Sequence, residues 1–417
     1  MITPAFSLTA TERVLPRLAL DFTTASLDSR ITFTRTGNTA TVTNSSGFVV
    51  PINANLPRFD FDAAALTCKG LLIEESRTNL CLYSENLSLG WTNVRSTSSV
   101  DAAIAPSNTL TADKLIEDST AGNSHFVLSS YIVSATGTYT ATVYLKAAED
   151  SYAFLGITDL ATGGAERRIN LSTGVVDSTN IGGAGSWTSI SGSSTNAGNG
   201  WWRMTVTATQ GAGASIAMQI YIGNSAGARV FSGNGVNGIY VWGAQVELAS
   251  FATSYIPTTT VTVARNADVT VMTSTNFSSW YTATTGAAVV WAIPQTATGT
   301  RPLLQFDDTT ALEIIALRGN VADPEMYIVD GGVAQAQIDT GTIVANTAYK
   351  LSGGWNTNNC AAAKDGGTVG TDTSATMPTP TQLRIGSDGT NYASALIQKV
   401  LYYPQRIIDA EVQAISK

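Results

Sequence analysis

TYTATVYLKA, residues 138–147, sets Tyr139, Ala141, Val143 and Leu145 on one side of an extended chain, with threonines, Tyr144 and Lys146 between them. A period of two is the signature of a β-strand, whose successive side chains point to opposite faces. The same kind of run recurs outward in both directions: LALDF, RITFTRTG, TATVTNSSGFVV and PRFDFD before it, then YAFLGITDL, WWRMTVTAT, SIAMQIYIG and GIYVWGAQVEL after it. Gly, Asn and Pro separate the runs, as turn residues separate strands. The pattern predicts an all-β chain of tandem antiparallel sandwiches of the jelly-roll kind.

Composition agrees. Of 417 residues only 13% are charged, and 37 are glycine, so the chain lacks the Glu, Lys and Leu that build solvent-facing helices. The formal net charge of -8, with no run of Lys or Arg, argues against nucleic acid and against insertion at an anionic membrane. No stretch approaches 18 consecutive apolar residues, and the first residues lack the pattern of a signal peptide, so the chain is expected to be made in a cytoplasm. The three cysteines, Cys68, Cys81 and Cys360, are too few and too scattered for a disulfide framework or a zinc site. A single histidine, His125, excludes most metal-hydrolase and Ser-His-Asp designs.

Breaks in the pattern suggest five segments. They are an N-terminal arm (1–20), a small β region with its junction (21–85), a jelly roll (86–258), a linker (259–273) whose Thr/Val run has no clear core face, and a second sandwich (274–417). DAEVQAIS, near the C-terminus, reads as a short helix with Asp409 as N-cap.

Several stretches carry a resemblance. GLLIEESRTNL at 70–80, APSNTLTADKL at 105–115, WWRMTVT at 201–207, VWGAQVELASFATSYIPT at 241–258 and VARNADV at 263–269 together resemble a module of bacteriophage tail-fibre and other virion-surface proteins. Its central part looks like a carbohydrate-binding-module jelly roll. YKLSGGWNTNNCAAAKDGGTVG, LRIGSDG and ALIQKVLYYPQRI resemble in order a concanavalin A-like, laminin-G-type sandwich. The resemblance implies a receptor-binding virion protein, located on the particle, acting on host-surface glycan or receptor beside other virion proteins, usually as a homotrimer, and without catalysis. The laminin-G likeness further implies calcium at a loop rim, for which Asp307, Asp308, Asp330 and Asp365, all beside turns, are the candidates. Asp-Gly is equally an ordinary hairpin turn.

The residues themselves offer two further constellations. Glu74, Glu75 and Arg77 stand together in GLLIEESRTNL, but glycoside hydrolysis needs two carboxyl groups about 5–10 Å apart flanking one bond. Adjacent strand residues face opposite ways, so this pair is read as a structural seam in which Arg77 meets a carboxylate. Aromatic rings stack on the apolar face of a pyranose while amides or guanidinium groups read its hydroxyls. Of eight tryptophans, Trp91, Trp187, Trp201, Trp202 and Trp242 lie in the jelly-roll segment. Trp187 sits in a loop-like GAGSWTSISGSS, and Trp201 and Trp202 must face opposite ways on a strand. Trp187, Trp202 and Arg203 are the expected sugar platform. The competing expectations are a head-spike or tail-tip component that binds no glycan, and a polysaccharide depolymerase.

Overall fold

The computed structural model describes residues 14–37, 40–130, 132–133, 135–159, 163–177, 185–211 and 215–417. The chain is all-β, 52% strand against 4% helix, as the alternating runs require. It divides into two compact units. One comprises Thr23–Ser26 and Phe33–Val269; the other comprises Leu27–Thr32, Thr270–Lys417 and the N-terminal stretch ending at Phe22. No helix among the described residues is long and apolar enough to cross a membrane.

The first unit is a two-sheet sandwich. One sheet runs Trp187–Asn196, Trp201–Gln210, Gly137–Ala147, Gly238–Leu248, Leu110–Glu117, Ser96–Ile104; the other runs Gly164–Asn170, Tyr152–Thr158, Ser215–Gly223, Phe126–Ser129, Trp91–Val94. Every pairing is antiparallel, with Val143 opposite Met204 in the first sheet and Leu155 opposite Ile220 in the second. Tyr139, Ala141, Val143 and Leu145 all enter the core between the sheets, against Leu155, Ile157, Met218 and Ile220. The other face of the same strand is covered as well. Tyr144 and Trp242 pack at 5.2 Å between ring centroids, Trp242 and Tyr255 at 4.8 Å, and Val49 joins them. Residues 33–79 therefore belong to the same unit as the jelly roll, because an apolar second face on that sheet has to be covered.

Residues 259–273, expected to be a linker, are built into the fold. Val263–Arg265 pairs antiparallel with Arg77–Asn79, and both Arg265 and Asp268 are fully buried. Up to Asp268 the inward side chains of the stretch are charged and are matched by other buried charges; beyond it Thr270 and Met272 are buried in the strand Val269–Thr273.

The second unit is also a two-sheet sandwich. Gly370–Asp372, Cys360–Lys364, Tyr349–Trp355, Gly286–Pro294 and Ala395–Tyr403 form one sheet, with Leu18–Asp21 pairing the last strand. Gln382–Ile385, Thr300–Asp307, Ile314–Asn320, Asp323–Asp330 and Val333–Asp339 lie in sequence in the other. An aromatic cluster fills the space between: Trp280 stands 5.0 Å from Tyr402, and Phe306 stands 5.5 Å from Trp355. The expected N-terminal arm lies outside the described residues up to position 13, and its end, Leu18–Asp21, is a strand with Leu18 and Leu20 buried. The C-terminal helix runs Asp409–Ile415, but its N-cap is the extended Ile408. Asp409 is instead a first-turn acid, ion-paired with Arg406.

Candidate functional site

An open cleft of about 530 Å³ lies within the first unit. Its floor is Trp202, on the strand Trp201–Gln210, and its walls are the turns at 171–172, 196–200 and 63–66, with Ser46 at the edge. Alternation sends Trp201, 1% exposed, to the sheet's second face beside Tyr144 and Trp242, and leaves Trp202 half-buried on the sandwich face. The indole is held by three features. Its Nε1–H donates to the Leu171 carbonyl at 2.9 Å, its inner edge packs on the main core, and Gly174 lies flat against its six-membered ring. A Cβ on Gly174 would stand 2.2 Å from the ring, so only glycine permits this approach.

The opposing wall is set by equally close contacts. The Ala63 carbonyl lies between Gly47 and Gly198, each in a left-handed conformation, where an added Cβ would meet it at 2.6 and 2.8 Å. Asp62 fixes the 63–66 turn by accepting the N–H groups of Ala64 and Ala65 at 2.9 and 2.7 Å. These hydrogen bonds, that from Ala65 foremost, hold its carboxyl below the usual range. The 196–201 turn is tied by Gly198 N–H to Asn196 Oδ1 at 2.9 Å and by Trp201 N–H to the Gly198 carbonyl at 2.8 Å. Asn196, Asn199, Ser172 and Ser46 supply amides and hydroxyls around the ring. The sequence signal for these walls is the scatter of glycines at 47, 174 and 198, whose spatial convergence no local pattern reveals.

Of Trp187, Trp202 and Arg203, Trp202 lines the cleft and the other two do not. Trp187 is not in a loop: it opens the strand Trp187–Asn196, pairs with Gln210, and is 2% exposed in the sandwich core. Arg203 faces away from Trp202 by the same alternation that separates Trp201 from Trp202. It donates to Thr142 Oγ1 at 3.1 Å and to the Thr253 carbonyl at 2.7 Å, with its guanidinium 5.6 Å from the Tyr144 ring centroid.

GLLIEESRTNL builds a different feature, a buried ion cluster. Glu74, fully buried, receives Arg58 at 2.7 Å, Arg265 at 3.4 Å, and the N–H and hydroxyl of Ser254 at 2.8 and 2.7 Å. Asp268 pairs with Arg58 and, at 3.1 Å, with Arg35, and accepts the Glu74 N–H at 2.9 Å. Burial opposes the charge on Arg58, but the Asp268 and Glu74 carboxylates outweigh it and hold the guanidinium above its usual range. Burial pulls Arg265 and Arg35 the other way. Glu75 points outward to Arg77, which also lies 4.0 Å from Glu247 and stacks over Phe251 at 4.9 Å. Glu74 thus lies in the buried cluster and Glu75 outside it, both in the connection between the strands Cys68–Ile73 and Arg77–Asn79.

Each of the four aspartates read as calcium candidates has protein partners. Buried Asp307 accepts Gln305 and Arg384 at 3.0 Å, as well as Gln382. Asp308 caps its own turn through Thr310, Asp330 accepts the Thr376 hydroxyl, and Asp365 meets the Lys350 N–H and Lys364. Among the described residues no group of three or more His, Cys, Asp or Glu side chains is placed to hold a metal ion. His125 is buried, its Nδ1 2.7 Å from the Arg95 carbonyl. Cys81 and Cys360 are buried, and burial pushes their thiols up to about 12 and about 11; Cys68 is half-buried.

No protein-family model matches the chain, and no curated protein matches it in sequence. Solved structures that it is similar to in part include the CBM40 module of the Ruminococcus gnavus IT-sialidase bound to α2,3-sialyllactose, at 12% identity over 34% of this chain and 88% of that one, TM-score 0.29. The NanB sialidase of Streptococcus pneumoniae (K499G mutant) matches at 12% identity over 35% and 26%, TM-score 0.30. The botulinum neurotoxin serotype D binding domain matches at 9% identity over 36% and 40%, TM-score 0.29. At these scores the likeness is partial, and no residue role is carried over from it.

Proposed function

We propose that the chain is a structural protein of a bacteriophage particle, a tail fibre or spike, which adheres to host-surface glycan through the Trp202 cleft. The observation that carries the glycan reading is the half-exposed indole flooring a 530 Å³ cleft among neutral amide and hydroxyl groups. Its N–H is already spent on Leu171, so what it offers is a ring face, the part of an indole that stacks on a sugar. The volume lies within the range of small-molecule sites, about 300–1,000 Å³. Among the described residues the lining has no carboxyl pair, which favours binding over hydrolysis.

The virion assignment rests on the sequence resemblance. Three of its motifs supply Glu74, Ser254, Arg265 and Asp268, which meet in one buried cluster, so the similar stretches serve one structural purpose. Display as a homotrimer turns weak single-site contacts into firm adhesion, since each further contact is intramolecular.

Glycan-array binding of wild type and Trp202→Ala, with thermal melting of both, tests the cleft. Loss of binding with a retained cooperative melt supports it. Glycan binding indifferent to Trp202 removes the cleft from the reading, and no glycan binding at all leaves a purely structural virion component. New reducing ends from host polysaccharide would make the protein a depolymerase. Antibody labelling of phage particles tests the location, and light scattering the trimer.

A further inference from the structure

We infer that the Trp202 cleft takes an uncharged oligosaccharide and discriminates against sialylated and uronic-acid glycans; this rests on the reading of the cleft as the sugar contact. A sugar carboxylate leaving water needs a charge-assisted partner, which proteins supply with Arg or Lys. Among the described residues none that lines the cleft is ionisable: the ring of Trp202 is accompanied by serines, asparagines, alanines, leucines and glycines.

The nearest charges do not alter this. Lys146 approaches Gly200, but it is registered opposite Trp201 and so belongs to the other face of the sheet, its Nζ 6.0 Å from the Trp201 ring centroid. Asp62, behind the 63–66 wall, is negative and spends its carboxylate on that turn. Arg203, the one guanidinium next to Trp202 in sequence, is turned away and occupied by Thr142 and Thr253. The net charge of -8 adds a long-range repulsion to any polyanionic glycan. An acidic sugar would therefore surrender hydration with no replacement. A neutral pyranose loses nothing of the kind: its C–H face meets the indole, and its hydroxyls meet amides and serines that donate and accept equally well.

The test is binding of the full chain to immobilised neutral gluco-, galacto- and manno-oligosaccharides and to their sialylated and uronic-acid counterparts. Wild type is compared with Trp202→Ala, with Trp202→Phe, which retains a ring against Gly174, and with Ser172→Arg on the exposed turn. The expected result is a neutral ligand bound at least about tenfold more tightly than its acidic counterpart. Trp202→Ala should abolish that binding, Trp202→Phe should keep part of it, and Ser172→Arg should narrow the gap by admitting acidic sugars. An acidic glycan bound as tightly as the neutral one, in a Trp202-dependent manner, overturns the inference and leaves the cleft as a sugar site. Binding that ignores Trp202, or none at all, overturns both.

Discussion

Glu74 and Glu75 are neighbours in sequence with opposite fates. Glu74 is fully buried against Arg58 and Arg265, whereas Glu75 pairs with Arg77 near the surface. Removing one partner of a buried pair strands the other, so Glu74→Gln should cost about 3–5 kcal/mol in urea denaturation. Glu75→Gln should change stability by no more than about 1 kcal/mol, as partly exposed pairs do. Asp150 offers a pH counterpart. It is 3% exposed beside the equally buried Glu117, and burial, then the charge of Glu117, push its carboxyl up to about 7. Glu149 adds repulsion, partly offset by Lys114. The unfolded carboxyl titrates near about 4, so the folded state holds this proton more tightly and stability falls as pH rises from about 4 to 7. Asp150→Asn should therefore melt above wild type at pH 8, with the difference closing towards pH 4; an unchanged difference across that range would contradict the pairing. Whether a given carboxylate is buried was not legible locally, because Glu74 and Glu75 are neighbours in the short connection between the strands Cys68–Ile73 and Arg77–Asn79 and differ only in the direction each side chain takes.

At the scale of elements, alternation predicted the inward set Tyr139, Ala141, Val143 and Leu145 correctly, and it failed where flanking composition was allowed to outweigh it. Glycine and serine around Trp187 suggested a loop, yet the residue pairs with Gln210 in a strand. The period of two that separates Trp201 from Trp202 also separates Trp202 from Arg203, which dissolves the expected platform. Glycines shape the cleft more than its polar residues do. Gly174→Ala, with φ of +76° and a ring in the way, should displace Trp202, lower the melting temperature and remove the proposed glycan binding. Gly198→Ala should weaken binding by pushing the 63–66 wall outward while leaving the indole in place. Gly235, with φ of +79° and nothing within 4 Å of an added Cβ, is the control: Gly235→Ala should cost only backbone strain, about 1–2 kcal/mol, and spare binding.

For the chain as a whole, the decisive feature is how far apart in sequence the members of the ion cluster lie. Arg35, Arg58, Glu74, Arg265 and Asp268 come from both ends of the unit spanning 33–269, and each buried charge meets its counter-charge only when all are present. A chain ending at residue 262 loses Arg265 and Asp268 and leaves Arg35 buried without its carboxylate. It should fail to form the sandwich cooperatively, read as loss of a sigmoidal melt and rapid proteolysis, whereas a chain ending at 269 should retain it. Residues 259–269 read as part of a linker because their inward side chains, Arg265 and Asp268, are charged, and hydrophobic patterning is blind to a core built of ion pairs.

Period-two alternation and turn residues were enough to establish an all-β chain and the inward face of its central strand, because pleat geometry is local and each strand carries its own record of it. The cleft and the ion cluster were decided in three dimensions. Trp202 comes to line a cleft only when Gly174 backs it and turns from residues 63–66 and 196–200 converge on it. Glu74 becomes structural only when Arg58 and Arg265 arrive from elsewhere in the chain. Both depend on contacts between residues distant in sequence, where the energy of each partner is set by what the fold places beside it.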